Sequence, residues 1–190
     1  MWRIVLKIVN HIKEIIYNSI HLFINLFKIY FYLYKNKYSK IWVLDIDNTL
    51  ADTWPTLLEK KKYKNELHRL ENLNVLTGSK NYFLEVCSHP NHGIIFLSAR
   101  PLNSKVITQK WLENNNFWHQ NANLILVPKA KNKLPFLNLI TLLHHHVFYI
   151  DDLSYNHENG TVKFYDSVIK KVNKLNLFYY DNQFIQSINK

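Results

Sequence analysis

Asp45 and Asp47 stand two residues apart at the end of an apolar run, and Asp151 and Asp152 stand side by side at the end of another. Carboxylates that turn into one pocket repel each other unless a cation joins them. A hard divalent ion, most naturally Mg²⁺, relieves that repulsion and also accepts a phosphate oxygen. Phosphoryl transfer asks for in-line positioning and neutralisation of three equatorial oxygens, which Mg²⁺, a lysine and hydroxyl or amide donors supply. One carboxylate can then act as nucleophile, dividing the reaction into formation and hydrolysis of an acyl phosphate.

Those acids need elements to hold them. Runs rich in Ile, Val, Leu and Phe at 41–44, 93–97, 123–127 and 147–150 read as fully buried strands, with weaker candidates at 162–165 and 176–180. Segments of helical period lie between them, at 104–115 and 133–143. This alternation predicts an α/β fold: a doubly wound, Rossmann-like parallel sheet over residues 40–190. Residues 54–90 are mostly helical and charged, with a break near Thr77 and Gly78, and read as an insert or small cap. In such sheets ligands bind beyond the carboxyl ends of the strands. Asp45 to Thr49, Ser98 to Arg100, and Asp151 with Asp152 are therefore expected along one edge.

Asp45-Ile46-Asp47-Asn48-Thr49-Leu50 resembles the DxDxT signature of the haloacid dehalogenase-like (HAD) phosphatase superfamily. With seven Asp and seven Thr in the chain, about 0.01 such matches are expected by chance. Phe96-Leu97-Ser98-Ala99-Arg100 resembles the second motif of that superfamily, and Tyr149-Ile150-Asp151-Asp152 resembles its acidic fourth motif. The third motif is a lysine opening a helix, for which Lys133 is best placed and Lys129 and Lys131 compete. The resemblance covers roughly residues 40–174.

It implies a Mg²⁺-dependent phosphomonoester hydrolase. Asp45 would attack phosphorus, and Asp47 would protonate the leaving oxygen and then activate water. Ser98 and Lys133 would hold phosphate oxygens. Asp45, the backbone carbonyl of Asp47, and Asp151 would ligate Mg²⁺, with Asp152 a water-mediated contact; Thr49 would order the loop. The chain departs from the pattern where Ile150 precedes the acidic pair and Tyr155 and Asn156 follow it. This leaves open which of Asp151 and Asp152 holds the metal, and whether Asn156 adds an oxygen or caps a turn.

The 190 residues fit one domain plus an appendage, and 47% apolar against 20% charged residues is enough to bury a core. Only three glycines are present, which excludes a Gly-rich P-loop and a GxGxxG fingerprint. One cysteine, Cys87, excludes an intramolecular disulfide and a multi-Cys zinc site; it reads as buried packing in a reducing, cytoplasmic setting. The net charge is +10, and residues 1–40 carry seven basic groups against one acid, Glu14.

Residues 1–39 hold no Gly or Pro, and Lys7, His11, Glu14, Asn18, His21, Asn25 and Lys28 recur at helical spacing among Ile, Val, Leu and Phe. A helix over residues 2–34 would be roughly 50 Å long. Three roles compete for it: a membrane span, an amphipathic helix in the plane of the cytoplasmic membrane face, or a helix docked on the domain or on a second copy.

Several other residues invite chemistry without carrying it. His144, His145 and His146 suit a helix end better than a metal, and Ser98 lacks a GxSxG elbow. Arg100 would clamp an anion or bond the domain, and Trp54 would stack on substrate or pack. The lysines at 60, 61, 62 and 64 read as a solvated face or a basic rim. The partner is a phosphorylated substrate of unspecified class. A polynucleotide-end phosphatase is the first alternative, although nucleic acid is not favoured because the domain itself is only mildly basic. The second is a membrane-attached module that binds phosphate without turnover.

Overall fold

A computed structural model describes the backbone of residues 2–154, 156–158, 161–163 and 165–190, and the side chains of residues 16–59, 61–154 and 165–190. The chain opens with helix α1 (Trp2–Lys35), followed by β1 (Lys40–Leu44), β2 (Ala51–Asp52), α2 (Trp54–Leu58), α3 (Glu66–Glu71) and β3 (Asn74–Val75). Helix α4 (Thr77–Tyr82) continues as a π-helical turn, Phe83–Cys87. Then come β4 (His92–Ser98), α5 (Lys105–Asn114), β5 (Ala122–Leu126), α6 (Leu134–Leu143), β6 (Val147–Ile150), β7 (Asn156–Glu158) and β8 (Thr161–Lys163). Helix α7 (Asp166–Val172), β9 (Phe178–Tyr180) and α8 (Asn182–Ile188) complete the chain.

Five strands form one parallel sheet in the order β5-β4-β1-β6-β9. With helices on both sides, this is a Rossmann-like α/β architecture. Successive strand residues point to opposite faces, and here both faces are covered, which is why the strands are continuous apolar runs. Trp42, Leu44, Phe96 and Leu126 pack toward α5 and the π-helical turn, meeting Trp111, Leu112 and Phe83. Ile41, Val43, Ile95 and Val127 pack on the opposite face with Phe136 and Ile140 of α6 and Val168 and Val172 of α7.

Helix α1 belongs to that second face. Ile29 and Leu33 are buried in the same cluster as Ile125 and Val127, with Leu22 and Leu26 against it. The Tyr32 hydroxyl donates to the carbonyl of Asn121 and accepts from the backbone N–H of Ile94 at 3.1 Å. Gly93 leaves room for this approach: a Cβ there would stand 2.7 Å from the Tyr38 ring and 3.0 Å from the Tyr32 oxygen. One core thus runs across the composition change near residues 38–40. Among the described residues, no helix is long and apolar enough to cross a membrane.

The 54–90 segment has two parts. Residues 51–76 form the small antiparallel β2–β3 pair with α2 and α3 beside it. Thr77–Cys87 instead packs on the sheet through Phe83 and Cys87, as the crossover between β1 and β4. Gly78 touches the chain's last helix so closely that a Cβ would lie 1.6 Å from the Ile188 oxygen. Two strand expectations land differently. Residues 178–180 join the sheet edge as β9, whereas Thr161–Lys163 pairs antiparallel with Asn156–Glu158, outside it. That pairing takes up backbone groups of the two short strands with each other, and neither strand joins the five-stranded sheet; Phe164, part of the expected strand at 162–165, lies outside the described residues.

Candidate functional site

The chain moves outward from β1 to β4 and β5, then returns to the other side of β1 as β6, so the winding reverses between β1 and β6. Asp45 and Asp151 follow those two strands directly. The Asp45 N–H still donates to the Ile150 carbonyl at 2.9 Å, and the Asp151 N–H donates to the Tyr180 carbonyl at 3.2 Å. Both acids are therefore fixed by the sheet at its switch-point crevice.

A tight turn follows Asp47. Asn48 adopts the left-handed conformation, φ 54°, which Asn tolerates better than most residues. The N–H groups of Leu50 and Ala51 both donate to the Ile46 carbonyl at 2.9 Å. The Asn48 side chain accepts from the Trp54 N–H at 2.9 Å, tying the turn to α2. The two aspartates then face different partners.

Asp45 faces Lys133, whose Nζ is 2.9 Å from Asp45 Oδ1 and 2.6 Å from Asp151 Oδ2. All three side chains are buried. The contact with Asp45 is an ion pair without hydrogen-bond alignment, since Asp45 Oδ1 has no hydrogen-bond partner. The Tyr149 hydroxyl also donates to Asp151 Oδ2. Asp152 completes the group: one oxygen from each of Asp45, Asp151 and Asp152 lies within 4.8 Å of the others. Asp151 Oδ1 and both oxygens of Asp152 are buried and complete no hydrogen bond.

Three buried carboxylates thus share one ammonium, and the titration behaviour follows. Burial raises the Asp45 carboxyl, Lys133 opposes that rise, Asp151 and Asp47 add to it, and the result is about 7. Burial pushes Asp152 well above the ordinary carboxylate range, reinforced by Asp151 and Asp45 and only partly offset by Lys133 and nearby Asn48. Burial works against the charge on Lys133, yet Asp151 and Asp45 hold it above the usual lysine value. Orphaned carboxylate oxygens, hard donors and surplus negative charge fit a divalent cation such as Mg²⁺.

Asp47 is turned the other way. Arg100 Nε donates to its Oδ2 at 2.7 Å and Nη2 to its Oδ1 at 2.8 Å, a two-pronged fork. The Thr53 hydroxyl donates to Oδ1 at 2.7 Å, and the Ser98 hydroxyl lies 3.4 Å from Oδ2. Burial would raise this carboxyl, but Arg100 and Thr53 hold it below the ordinary range. The metal expectation at Asp47 concerned its backbone carbonyl; its carboxylate lies outside the acidic group and is committed to Arg100.

A crevice of about 630 Å³ opens over these residues. Asp45, Asp47, Ser98 and Lys133 line it, while Asp151 and Asp152 lie beneath. Of the three competing lysines, Lys133 is buried against the acids; Lys129 and Lys131 are exposed on the rim. Arg69 adds a further cation to the wall, held by Glu66 at 2.6 Å and by Thr56 at 2.8 Å.

Other candidates fall elsewhere. Trp54 lines a separate cavity with Leu76 and Asn182. His144 pairs through Nε2 with the Tyr38 carbonyl at 2.9 Å, at the amino edge of the sheet. Cys87 is buried, and that burial raises its thiol. Lys61, Lys62 and Lys64 are exposed, and Lys62 pairs with Glu59 at 2.8 Å. Tyr155 and the Asn156 side chain, and with them the question of an extra metal oxygen, lie outside the described residues.

Tyr149, Thr53 and Arg69 were not singled out from the sequence. Tyr149 carried a usable signal, because residues two apart on a strand share a face and Asp151 follows it at that spacing. No local signal points to Arg69, whose place depends on how α3 packs. No protein-family model and no curated protein matches this chain.

Proposed function

We propose that this chain is a Mg²⁺-dependent phosphomonoester hydrolase of the haloacid dehalogenase-like type, acting through an aspartyl phosphate on Asp45. The observation that carries this reading is Asp45 at the crevice floor, 2.9 Å from Lys133, beside buried carboxylates with unpartnered oxygens. Asp45, Asp151 and Asp152 would hold the cation, which when bound neutralises charge on the phosphate oxygens.

In the first half of the reaction, a carboxylate oxygen of Asp45 attacks phosphorus as the bond from phosphorus to the ester oxygen breaks. Lys133 and Ser98 hold phosphate oxygens and keep the attack in line. Asp47 gives a proton to the departing oxygen, which leaves as the alcohol. In the second half, Asp47 takes a proton from water, the new hydroxide attacks phosphorus, and Asp45 is released with inorganic phosphate. The Arg100 fork keeps Asp47 ionised, the form suited to activating water; proton donation requires Asp47 to separate from it.

The test is phosphate release from p-nitrophenyl phosphate with Mg²⁺. The unmodified chain is expected to turn over, Asp45→Asn to lose activity, and Asp47→Asn to fall about 10²- to 10⁴-fold. Equal signals from all three would end the enzymatic reading. The Arg100 fork favours one alternative, a module that binds phosphate without turnover. Saturable phosphate binding with no release by any of the three proteins would select it.

A further inference from the structure

We propose that the outward face of α1 is a docking surface for an anionic lipid bilayer, on which the helix lies in the plane of the membrane. This rests on packing and charge alone and is independent of the chemistry at Asp45.

An amphipathic surface helix turns one apolar stripe to the core and a polar face to solvent, whereas α1 carries apolar residues on both its docked and its outward side. Asn25, a member of its polar stripe, is buried toward the domain, and its side-chain amide donates to the His21 carbonyl at 2.8 Å. Leu22, Leu26, Ile29 and Leu33 share that docked side. On the opposite side, Phe23 is 71% exposed, Phe27 56% and Tyr34 75%, with Ile20, Ile24 and Phe31 also exposed among them. Phe27 and Phe31 pack edge to face at 4.6 Å, and Phe23 stacks on Phe27 at 6.5 Å, so the rings form one continuous strip. From Ile16 to Tyr34 it runs about 27 Å along the helix. Scattered exposed apolar residues are ordinary, but a contiguous aromatic strip marks an interaction surface.

Charge selects the partner. Lys28 and Lys35 on the helix are exposed, as are Lys37 and Lys40 just beyond it, and no acid occurs anywhere from residue 15 to residue 44. A second copy laid on this strip would bring lysines to lysines with no carboxylate to pair them. Anionic head groups complement the same border, while the rings enter the boundary between head groups and acyl chains. The bilayer is not crossed by this stretch, because Leu22 to Leu33 are packed on the domain and no described helix is long and apolar enough to span.

The experiment is co-sedimentation of the full chain with vesicles of phosphatidylcholine alone, or with one-third phosphatidylserine. Binding is expected at least about tenfold tighter to the anionic vesicles and weakened by salt. The double variant Phe23→Ser, Phe27→Ser, altered only at exposed positions, should lose at least about tenfold in affinity while keeping its circular dichroism and melting temperature. The charge variant Lys28→Glu, Lys35→Glu should lose the preference for phosphatidylserine. The proposal is overturned if the unmodified chain stays in the supernatant with anionic vesicles, binds both vesicle types alike, or is matched by the Phe double variant. A dimer in sedimentation velocity that the Phe variant dissolves, with no vesicle binding, would assign the strip to a second copy instead. None of these readouts requires phosphate release, so failure here and failure of the hydrolase reading remain distinct.

Discussion

Lys133 Nζ sits 2.6 Å from Asp151 Oδ2, both side chains fully buried, although 18 residues separate them in the chain. The same nitrogen is 2.9 Å from Asp45. Removing it by Lys133→Met would leave three buried carboxylates without a cation of the protein's own. Breaking a buried ion pair from one side costs about 3–5 kcal/mol. Urea unfolding should show a loss of that order, and phosphate release should fall with it.

Asp45 links stability to pH and metal. Its folded pKa, raised from 3.8 to about 7, means the folded state binds its proton more tightly than the unfolded chain does. The stability this contributes is complete below pH 3.8 and is lost as pH rises toward 7. With chelator present, the melting temperature should therefore decline across that window. Mg²⁺ should raise it more at pH 8 than at pH 5, since the cation binds the ionised carboxylates. Equal stabilisation at both pH values would count against these acids as the metal ligands.

Arg100 holds Asp47 ionised. In Arg100→Met the burial of Asp47 is opposed only by Thr53 and the more distant Arg69, so its pKa should rise. The acid limb of the pH profile for phosphate release should then move upward by about one unit or more. Arg100→Lys, which replaces a planar fork with a single point of contact, should fall between the two. An unmoved limb would remove Asp47 from the proton-transfer role.

The two sides of α1 should respond oppositely to truncation. Ile29 is 1% exposed, so Ile29→Ala is expected to cost about 2–5 kcal/mol of folding stability. Phe27, two residues away on the outward side and 56% exposed, should give a change within about 0.5 kcal/mol when replaced by Ala. Denaturant midpoints for the pair check this directly. Deleting residues 1–38 removes both sides at once and uncovers Ile125 and Val127, so the remainder should aggregate or unfold.

Much of the sheet was legible because its signals are local. The runs ending near Leu44, Ser98, Leu126 and Ile150 are rich in Ile, Val, Leu and Phe, as strands buried on both faces tend to be, and polar residues follow at Asp45, at Ser98 and at Asp151. Asp45, Ser98 and Asp151 could be named from those ends. Lys133 could be preferred over Lys129 and Lys131 by its place at a helix start. The helical spacing of residues 2–34 was equally plain.

The sequence by itself determined the element types, the strand ends and the acidic residues available there, because hydropathy period and residue chemistry are local properties of a chain. Only the tertiary structure decided which aspartate meets which cation. Arg100 reaches Asp47 across 53 residues, and Asp152 joins Asp45 rather than solvent, because β1, β4 and β6 are brought side by side. It also decided that α1 turns Asn25 inward and its phenylalanines outward. Periodicity says that a helix has two faces, but the uncovered β4–β5 surface determines which of them the domain takes.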